Sequence, residues 1–562
     1  MDMNKIFMEL ATQLSPIIGC EIEDVLKMLE LPKKPKSADI TLQLAKMYKN
    51  CKDKAKEISE KIISKNLDII DNIEVAGTIF KIRLNKKKYA MSIIKDILTS
   101  KEKYRQTDEG KGKNIIIEYS SPNIAKIFHA GHIRSTVLGN FVKNLYSNFG
   151  YNAISINYLG DWGRQFGLLA VGYKKYGDEK LLNEDAIKHL YDIYVKINKD
   201  ANENEEVMNE AREHFKQMEN GNEEYLKQWE TFRNKSIENY KITYKKLNIS
   251  FDIYSGESFY GEKGKSIIMN TENLVEDKDG SKYFDLGNLG KFLVIKKDGS
   301  TLYSTRDIAA AIDRTEKYNP EKSIYIVASQ QDLHFRQLFQ TLSTYGIDMN
   351  KLVHVNFGMV KGMSSRKGTV VFLEDIIKEA KNAVLEVMKK NEEKFSKIEN
   401  VEETATQLAV SSIIIQDFSA KRVKNYEFDM IRNTSFEGET GPYLQYTHCR
   451  LESIKNNNSI YDINTIIKEI TKVELEEELL SVLFYLLKYP LVLEDARQDY
   501  EPCKVVTYLM TLSAMANSLF SKFRVLNQEE NIAKQRLLVF ESIKVVLGNG
   551  MKILGMKPLL RM

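Results

Sequence analysis

The stretch that most constrains this chain runs from Glu118 to Asn140, EYSSPNIAKIFHAGHIRSTVLGN. An apolar run, Asn114 to Tyr119, stops at Ser120-Ser121-Pro122-Asn123, and a helical pattern begins near Gly131. That order is strand, loop, helix N-terminus. The first backbone N–H groups of a helix lack partners within it and lie at the positive end of its dipole, so such a start favours phosphate. His129 and His132 stand there with Ala130 and Gly131 between them. Gly131 carries no side chain, so a flat base or a phosphate can come close to the backbone. Alone, two histidines at this spacing also read as capping or core residues, and the rest of the chain has to decide.

A chain of 562 residues holds several domains, and three or four is the expected number. Residues 1–112 read as a small α/β unit. Ile6, Leu10 and Leu14 share one helix face, and Ile22, Val25, Leu26 and Leu29 a second. Helical spacing resumes from Ala38 to Ile63 after a break at Pro32 to Lys36, and Ile69 to Leu84 gives two short strands around Ala76-Gly77. The polar stretch Lys101 to Lys113 lacks periodicity and reads as a flexible linker. Residues 113–375 alternate strand and helix, with strands at Asn152–Tyr158, Lys291–Ile295, Thr301–Ser304, Ser323–Ala328 and Leu352–Phe357. A charged helical insertion, 179–247, interrupts them. Such alternation implies a doubly wound parallel sheet whose ligands lie beyond the strand C-terminal ends. Residues 376–430 read as a helical connector and 431–562 as an α-helical bundle. The fold class is therefore α/β: a nucleotide-binding catalytic domain between a small N-terminal α/β domain and a helical C-terminal domain.

Charge and cysteine usage narrow the class. Lys and Arg number 82 against 78 Asp and Glu, so any nucleic-acid contact must rest on a local basic groove. Cys20, Cys51, Cys449 and Cys503 are widely spaced, which fits a reducing cytoplasm and argues against a structural metal. The N-terminus reads as an amphipathic helix start, and the most apolar run, Leu479 to Leu493, is broken by Lys488 and Pro490. A cytoplasmic protein without membrane spans is expected.

A second phosphate loop lies at Lys361-Gly362-Met363-Ser364-Ser365-Arg366-Lys367-Gly368. Small residues beside two cations suit a mobile clamp on a triphosphate; alone, the segment reads first as a basic surface turn. With this loop in place, His129-Ala130-Gly131-His132 resembles the HIGH signature of class I aminoacyl-tRNA synthetases. The second loop resembles their KMSKS segment, with Ser365 where a lysine is expected and Gly362 in place of the first lysine. Arginyl-tRNA synthetases commonly lack that lysine and carry another just before the first histidine, where Lys126 stands here. Further strings resemble the same family: GDWGRQFG (160–167), FDIYSGES (251–258), LYSTRDIAAAIDR (302–314), SQQDLHFRQLF (329–339), EGETGPYLQYTHCR (437–450) and the final Arg561-Met562.

Charge and geometry lead to a pocket by a separate route. A guanidinium is planar, always charged, and carries five donors and no acceptor, so a site selective for it needs converging carboxylates and neutral acceptors. Glu118 ends the first strand. Tyr303 and Asp307, four apart at a strand-to-helix turn, can face one crevice, and Gln331 follows the strand ending at Ala328. Singly, each also reads as a solvated or capping residue. As a set they resemble the family's arginine-contacting residues: Glu118, Ser120, Asn123, His132, Tyr303, Asp307 and Gln331, with Glu257 as a further candidate.

The resemblance implies ATP-dependent formation of arginyl-adenylate and transfer of arginine to its tRNA, by positioning and charge stabilisation rather than covalent catalysis. His129, Gly131, His132, Met363 and Ser364 would hold ATP. Lys126 with Ser364, Ser365, Arg366 and Lys367 would steady the leaving pyrophosphate, with Mg²⁺ accompanying ATP and no structural metal. The resemblance also implies a monomer that activates arginine only with tRNA bound. Lys421, Arg422, Lys424, Tyr443, Arg450 and Met562 are the candidate tRNA contacts, since interleaved cations and aromatics suit phosphate contact and base stacking. A related nucleotidyltransferase and a tRNA-binding paralogue without catalysis share part of this pattern.

Overall fold

The computed structural model describes residues 3–32, 38–48, 52–124, 130–272, 274–361, 373–427 and 434–562. The chain opens with α1 (Met3–Ile18), α2 (Ile22–Met28), β1 (Leu29–Glu30), β2 (Ile40–Gln43), α3 (Lys52–Lys65), β3 (Ile70–Ala76), β4 (Ile79–Leu84) and α4 (Lys86–Ser100). The strands form an antiparallel sheet in the order β1-β2-β4-β3. Ile6, Leu10 and Leu14 of α1 are fully buried, as a helix face should be. The helix expected from Ala38 does not form there. Ile40 and Leu42 point inward at period two, and Leu29, expected on a helix, leaves it to pair with Leu42.

The central sheet holds β5 (Asn114–Glu118), β6 (Asn152–Leu159), β7 (Ile253–Gly256), β11 (Lys322–Ala328) and β12 (Leu352–Phe357). Its order is β12-β11-β5-β6-β7, and every pairing is parallel. β5 reads Asn-Ile-Ile-Ile-Glu without alternation because both faces are covered. The winding reverses beside β5, and a crevice opens there beyond the strand ends. Helix α5 (Ala130–Asn148) returns from β5 to β6, followed by α6 (Arg164–Tyr176). The supposed linker is not loose: Thr107 and Gly110 N–H groups donate to Asn148 and Phe149 carbonyls at 3.0 and 2.9 Å, and Tyr104 is buried.

The insertion consists of α7 (Glu179–Glu184), α8 (Ala186–Glu203), α9 (Glu205–Glu219) and α10 (Glu223–Lys246). Asp178, Asp185, Asn204 and Asn222 each cap the next helix through a side-chain oxygen, which lets four helices follow one another with short connections. Between β7 and β11 come α11 (Gly261–Met269), a small antiparallel sheet of β8 (Val275–Glu276), β9 (Lys282–Asp285) and β10 (Lys291–Ile295), and α12 (Tyr303–Tyr318). The strand expected at Thr301–Ser304 shrinks to a single bridge, Thr301 with Ile295, because Tyr303 already begins α12. The Ser304 and Thr305 hydroxyls donate to the Leu293 and Val294 carbonyls and pin that helix start to β10.

After α13 (Asp332–Thr344) and β12, the short β13 (Val360–Lys361) pairs in parallel with β14 (Tyr426–Glu427). Helices α14 (Leu373–Lys389), α15 (Glu392–Phe395) and α16 (Val401–Phe418) lie between them in sequence. The chain ends in α17 (Gly441–Asn457), α18 (Ile463–Glu469), α19 (Glu477–Leu486), α20 (Tyr489–Asp499), α21 (Cys503–Phe520) and α22 (Glu530–Ile553). Helix α16 is buried all round from Gln407 to Phe418, the mark of a helix enclosed by others. No helix among the described residues is long and apolar enough to cross a membrane.

Candidate active site

The turn after β5 is built under strain. Ser120 and Ser121 adopt φ of 69° and 47°, left-handed conformations that cost a residue with a Cβ and persist only where the surroundings enforce them. Ser135 Oγ accepts from Ser120 N–H at 2.9 Å and donates to the Ile326 carbonyl at 2.7 Å, locking the turn to β11. Ser120 Oγ lies 2.7 Å from Tyr244 OH and 2.8 Å from Thr136 Oγ1, so its hydroxyl is tied into the interior. Asn123 then bridges to Gly160, where an added Cβ would stand 3.0 Å from Asn123 Nδ2. A side chain at 160 would crowd this close approach of the two loops.

Glu118, Ser120, Asn123, His132, Tyr303, Asp307 and Gln331 all line one cavity of about 960 Å³. It occupies the crevice between the ends of β5 and β11, and the exit of β12 walls its other side through Gly358. Tyr303 and Asp307 sit one turn apart on α12, and Gln331 ends the turn that leads into α13. His132 faces the cavity from the first turn of α5.

Arg314, His334 and Arg306 are not read as site residues from sequence, and with Glu257 they set the electrostatics of this cavity. Arg314 donates through Nη1 to Glu118, and both side chains are buried. Burial pushes the Glu118 carboxyl up, while Arg314 opposes that shift. Asp307 Oδ2 lies 2.8 Å from His334 Nε2. Glu257 Oε2 accepts from Arg306 at 2.9 Å (Nε) and 2.7 Å (Nη2); burial drives its carboxyl up to about 7, with Arg306 acting against the shift. Periodicity could have found Arg314, which lies seven residues after Asp307 on the same face of α12. His334 falls within the SQQDLHFRQLF string, three residues past Gln331.

Glu257 is held by a buried carboxylate behind it. Asp161 accepts from Ser258 N–H and Ser258 Oγ at 2.9 Å each and from Arg233 Nε at 2.7 Å. Gly256 makes room, since a Cβ there would fall 2.1 Å from Asp161 Oδ2. Arg233 comes from α10, so the insertion braces Asp161 behind the cavity.

Lys126, His129, Met363, Ser364, Ser365, Arg366 and Lys367 lie outside the described residues, while Gly131 lies in the first turn of α5. Of the candidate tRNA contacts, Lys421 and Lys424 are exposed. Arg422 is engaged within the chain, through Nη1 to the Asn356 carbonyl and side chain and through its backbone N–H to Glu501 at 3.1 Å. Tyr443 OH accepts from Asn517 at 3.0 Å. Arg450 is exposed, with its guanidinium 4.6 Å from the Phe520 ring centre, and Met562 packs near Val384 and Leu408. Among the described residues no group of His, Cys, Asp or Glu is arranged to hold a metal ion.

Residues 93–430 match the family described as tRNA synthetases class I (R), catalytic domain, and residues 444–562 match the DALR anticodon binding domain. The chain is 44% identical to an arginine–tRNA ligase of Encephalitozoon cuniculi, with 100% of each chain covered. It is also 44% identical to the cytoplasmic arginine–tRNA ligase of Saccharomyces cerevisiae, covering 98% of this chain and 94% of that one. The chain belongs to the arginyl-tRNA synthetase family. Its fold agrees with the crystal structure of arginyl-tRNA synthetase from Plasmodium falciparum, at TM-score 0.79 and 23% identity over 98% of this chain and 99% of that one. Among arginyl-tRNA synthetases, this chain therefore carries both the catalytic and the anticodon-binding family regions.

Proposed function

We propose that this protein ligates L-arginine to its cognate tRNA, using ATP, through an arginyl-adenylate and with release of AMP and pyrophosphate. The observation that carries this reading is the convergence of Asp307, Tyr303, Asn123 and Gln331 on one cavity beside His132 at the start of α5. A carboxylate with neutral acceptors around a hollow suits a flat cation, and a helix N-terminus suits phosphate. In this reading Asp307, with Tyr303, Asn123 and Gln331, receives the guanidinium end of arginine. Its carboxylate attacks the α-phosphate of ATP, which lies along α5 with Mg²⁺ as part of the nucleotide substrate. The reaction asks for alignment and charge stabilisation and no covalent intermediate on the protein. Lys126, His129 and the 363–367 segment would hold the triphosphate, and the adenylate then passes its arginyl group to the terminal adenosine of tRNA.

The helical region 444–562 would take the anticodon side of the tRNA, with Arg450 and Met562, and Tyr443 just ahead of it, as contacts. Arginine-dependent exchange of pyrophosphate into ATP, measured with and without tRNA, tests this reading together with the identity of the amino acid found on tRNA after incubation. Exchange driven by arginine and charging of an arginine tRNA are expected. Exchange driven by another amino acid would replace the substrate. Retained tRNA binding without any exchange would replace the activity.

A further inference from the structure

The carboxylates at the cavity differ in what holds them. Glu118 is paired with Arg314 and Glu257 with Arg306, both guanidiniums that stay charged at any physiological pH. Asp307 is held by an imidazole, His334, at 2.8 Å through Nε2. The other ring nitrogen, Nδ1, is buried and has no hydrogen-bond partner among the described residues. A protonated imidazole would place a charged N–H there without an acceptor, which burial penalises. The hydrogen bond and the unpartnered Nδ1 together assign the neutral tautomer, with the proton on Nε2 and donated to Asp307. Rings fix the imidazole in place: Tyr303, Phe335 and Phe292 lie at centroid distances of 5.0, 5.4 and 5.6 Å.

We propose that His334 is a specificity-determining positioning residue, an uncharged anchor that aims Asp307 into the cavity and leaves its negative charge for the cationic end of the substrate. The inference rests on the function proposed above and deepens it. Where Arg314 and Arg306 neutralise the carboxylates they orient, His334 orients one without neutralising it. The guanidinium of arginine then meets a carboxylate already in position and still charged, which lowers the cost of ordering the site on binding. A lysine or arginine at position 334 would fill the same hydrogen bond and cancel the attraction.

The test compares His334→Lys with His334→Gln in the full-length protein, by arginine and ATP KM in pyrophosphate exchange, with thermal melting as the control for folding. Both substitutions can donate to Asp307, and only lysine brings a fixed charge. His334→Gln is expected to raise the arginine KM by up to about tenfold, and His334→Lys to raise it about 100-fold or more, with the ATP KM moving less than about threefold in either. Equal effects of the two substitutions on arginine KM, or equal effects on arginine and ATP, would overturn the proposal.

A third variant covers the case in which the lysine variant does not fold. His334→Leu removes the donor to Asp307 without adding a charge, and is expected to raise the arginine KM above that of His334→Gln, with the ATP KM moving less than about threefold. Equal arginine KM for His334→Leu and His334→Gln overturns the role of His334 while arginine-dependent exchange persists. Absence of arginine-dependent exchange in the unsubstituted protein overturns the functional reading, and this proposal with it.

Discussion

Arg314 on α12 is hydrogen-bonded to Glu118 at the end of β5, with the two side chains 4% and 10% exposed. The guanidinium carbon also stands 4.9 Å from the ring centre of Tyr158 on the neighbouring strand. The pair thus joins a helix to two strands at the floor of the cavity. Removing one partner of a buried ion pair leaves the other charged in a dry place, which costs ~3–5 kcal/mol. Arg314→Met should therefore lower unfolding free energy by about that amount in urea titrations. Combining it with Glu118→Gln should recover part of the loss, because the stranded charge disappears. A cost below ~1 kcal/mol for Arg314→Met would mean that Glu118 is protonated or solvated and that the pair does not hold the floor together.

Asp307 carries the guanidinium interaction in the proposed function. Asp307→Asn keeps the shape and one acceptor and removes the charge, and its amide adds donors facing a ligand that has donors only. Arginine KM in pyrophosphate exchange should rise by about 100-fold or more, with the ATP KM within a few-fold. If both constants move together, the residue shapes the whole site rather than recognising arginine.

The parts of the molecule legible in sequence were those in which local pattern and tertiary role agree. The apolar run of β5 and the change of period after Asn123 announce a strand and helix around a loop, and both are found. Tyr303 and Asp307 reach the same cavity as Glu118 because helical spacing stacks them on one face. What escaped depends on partners distant in sequence. Nothing near Glu118 reveals that its counter-ion lies 196 residues away, or that Asp307 finds an imidazole 27 residues on. Ile40 and Leu42 fit a helix in sequence because a short apolar run suits either period until β1 and β4 flank it. Lys101 to Lys113 looked like a linker since its order comes from hydrogen bonds to the end of α5, which composition does not report.

Glu257 gives a pH signature. Its carboxyl sits near 7 in the folded protein against an ordinary value of 4.5, because burial outweighs the attraction of Arg306. Between those two values the folded form keeps a proton that the unfolded chain has released. Stability from this group is complete below about pH 4.5 and is lost as pH rises through about 7, by roughly 3 kcal/mol across the window. Glu257→Gln cannot titrate. The difference in unfolding free energy between the unsubstituted protein and this variant should therefore fall as pH is raised from 5 to 7.5. A constant difference over that range would place the Glu257 transition elsewhere.

Arg134 lies two residues beyond His132 on α5 and is 1% exposed. Its Nη1 donates to the Gly358 carbonyl at 2.8 Å and to the Lys424 carbonyl at 2.7 Å, and its Nε forms an ion pair with Asp417 at 3.2 Å. Gly358 walls the cavity, and β13 (Val360–Lys361) begins two residues later and pairs with β14. One side chain therefore ties the helix that starts beside His132 to the strand that enters segment 362–372, and to the end of α16. Burial raises the Asp417 carboxyl to about 6, a cost that Arg134 offsets. Arg134→Met would leave two carbonyls without their donor and the buried Asp417 carboxyl without its counter-ion, and should cost ~3–5 kcal/mol of stability. Because it holds α5 and the entry to 362–372 at a fixed separation, the folded fraction should also lose at least about tenfold in the kcat of pyrophosphate exchange, with arginine KM within a few-fold. Arg134→Lys, which can keep one of the carbonyls, should fall between. If the folded fraction of Arg134→Met retains full kcat, the residue contributes stability alone, and the spacing between α5 and β13 is set by other contacts.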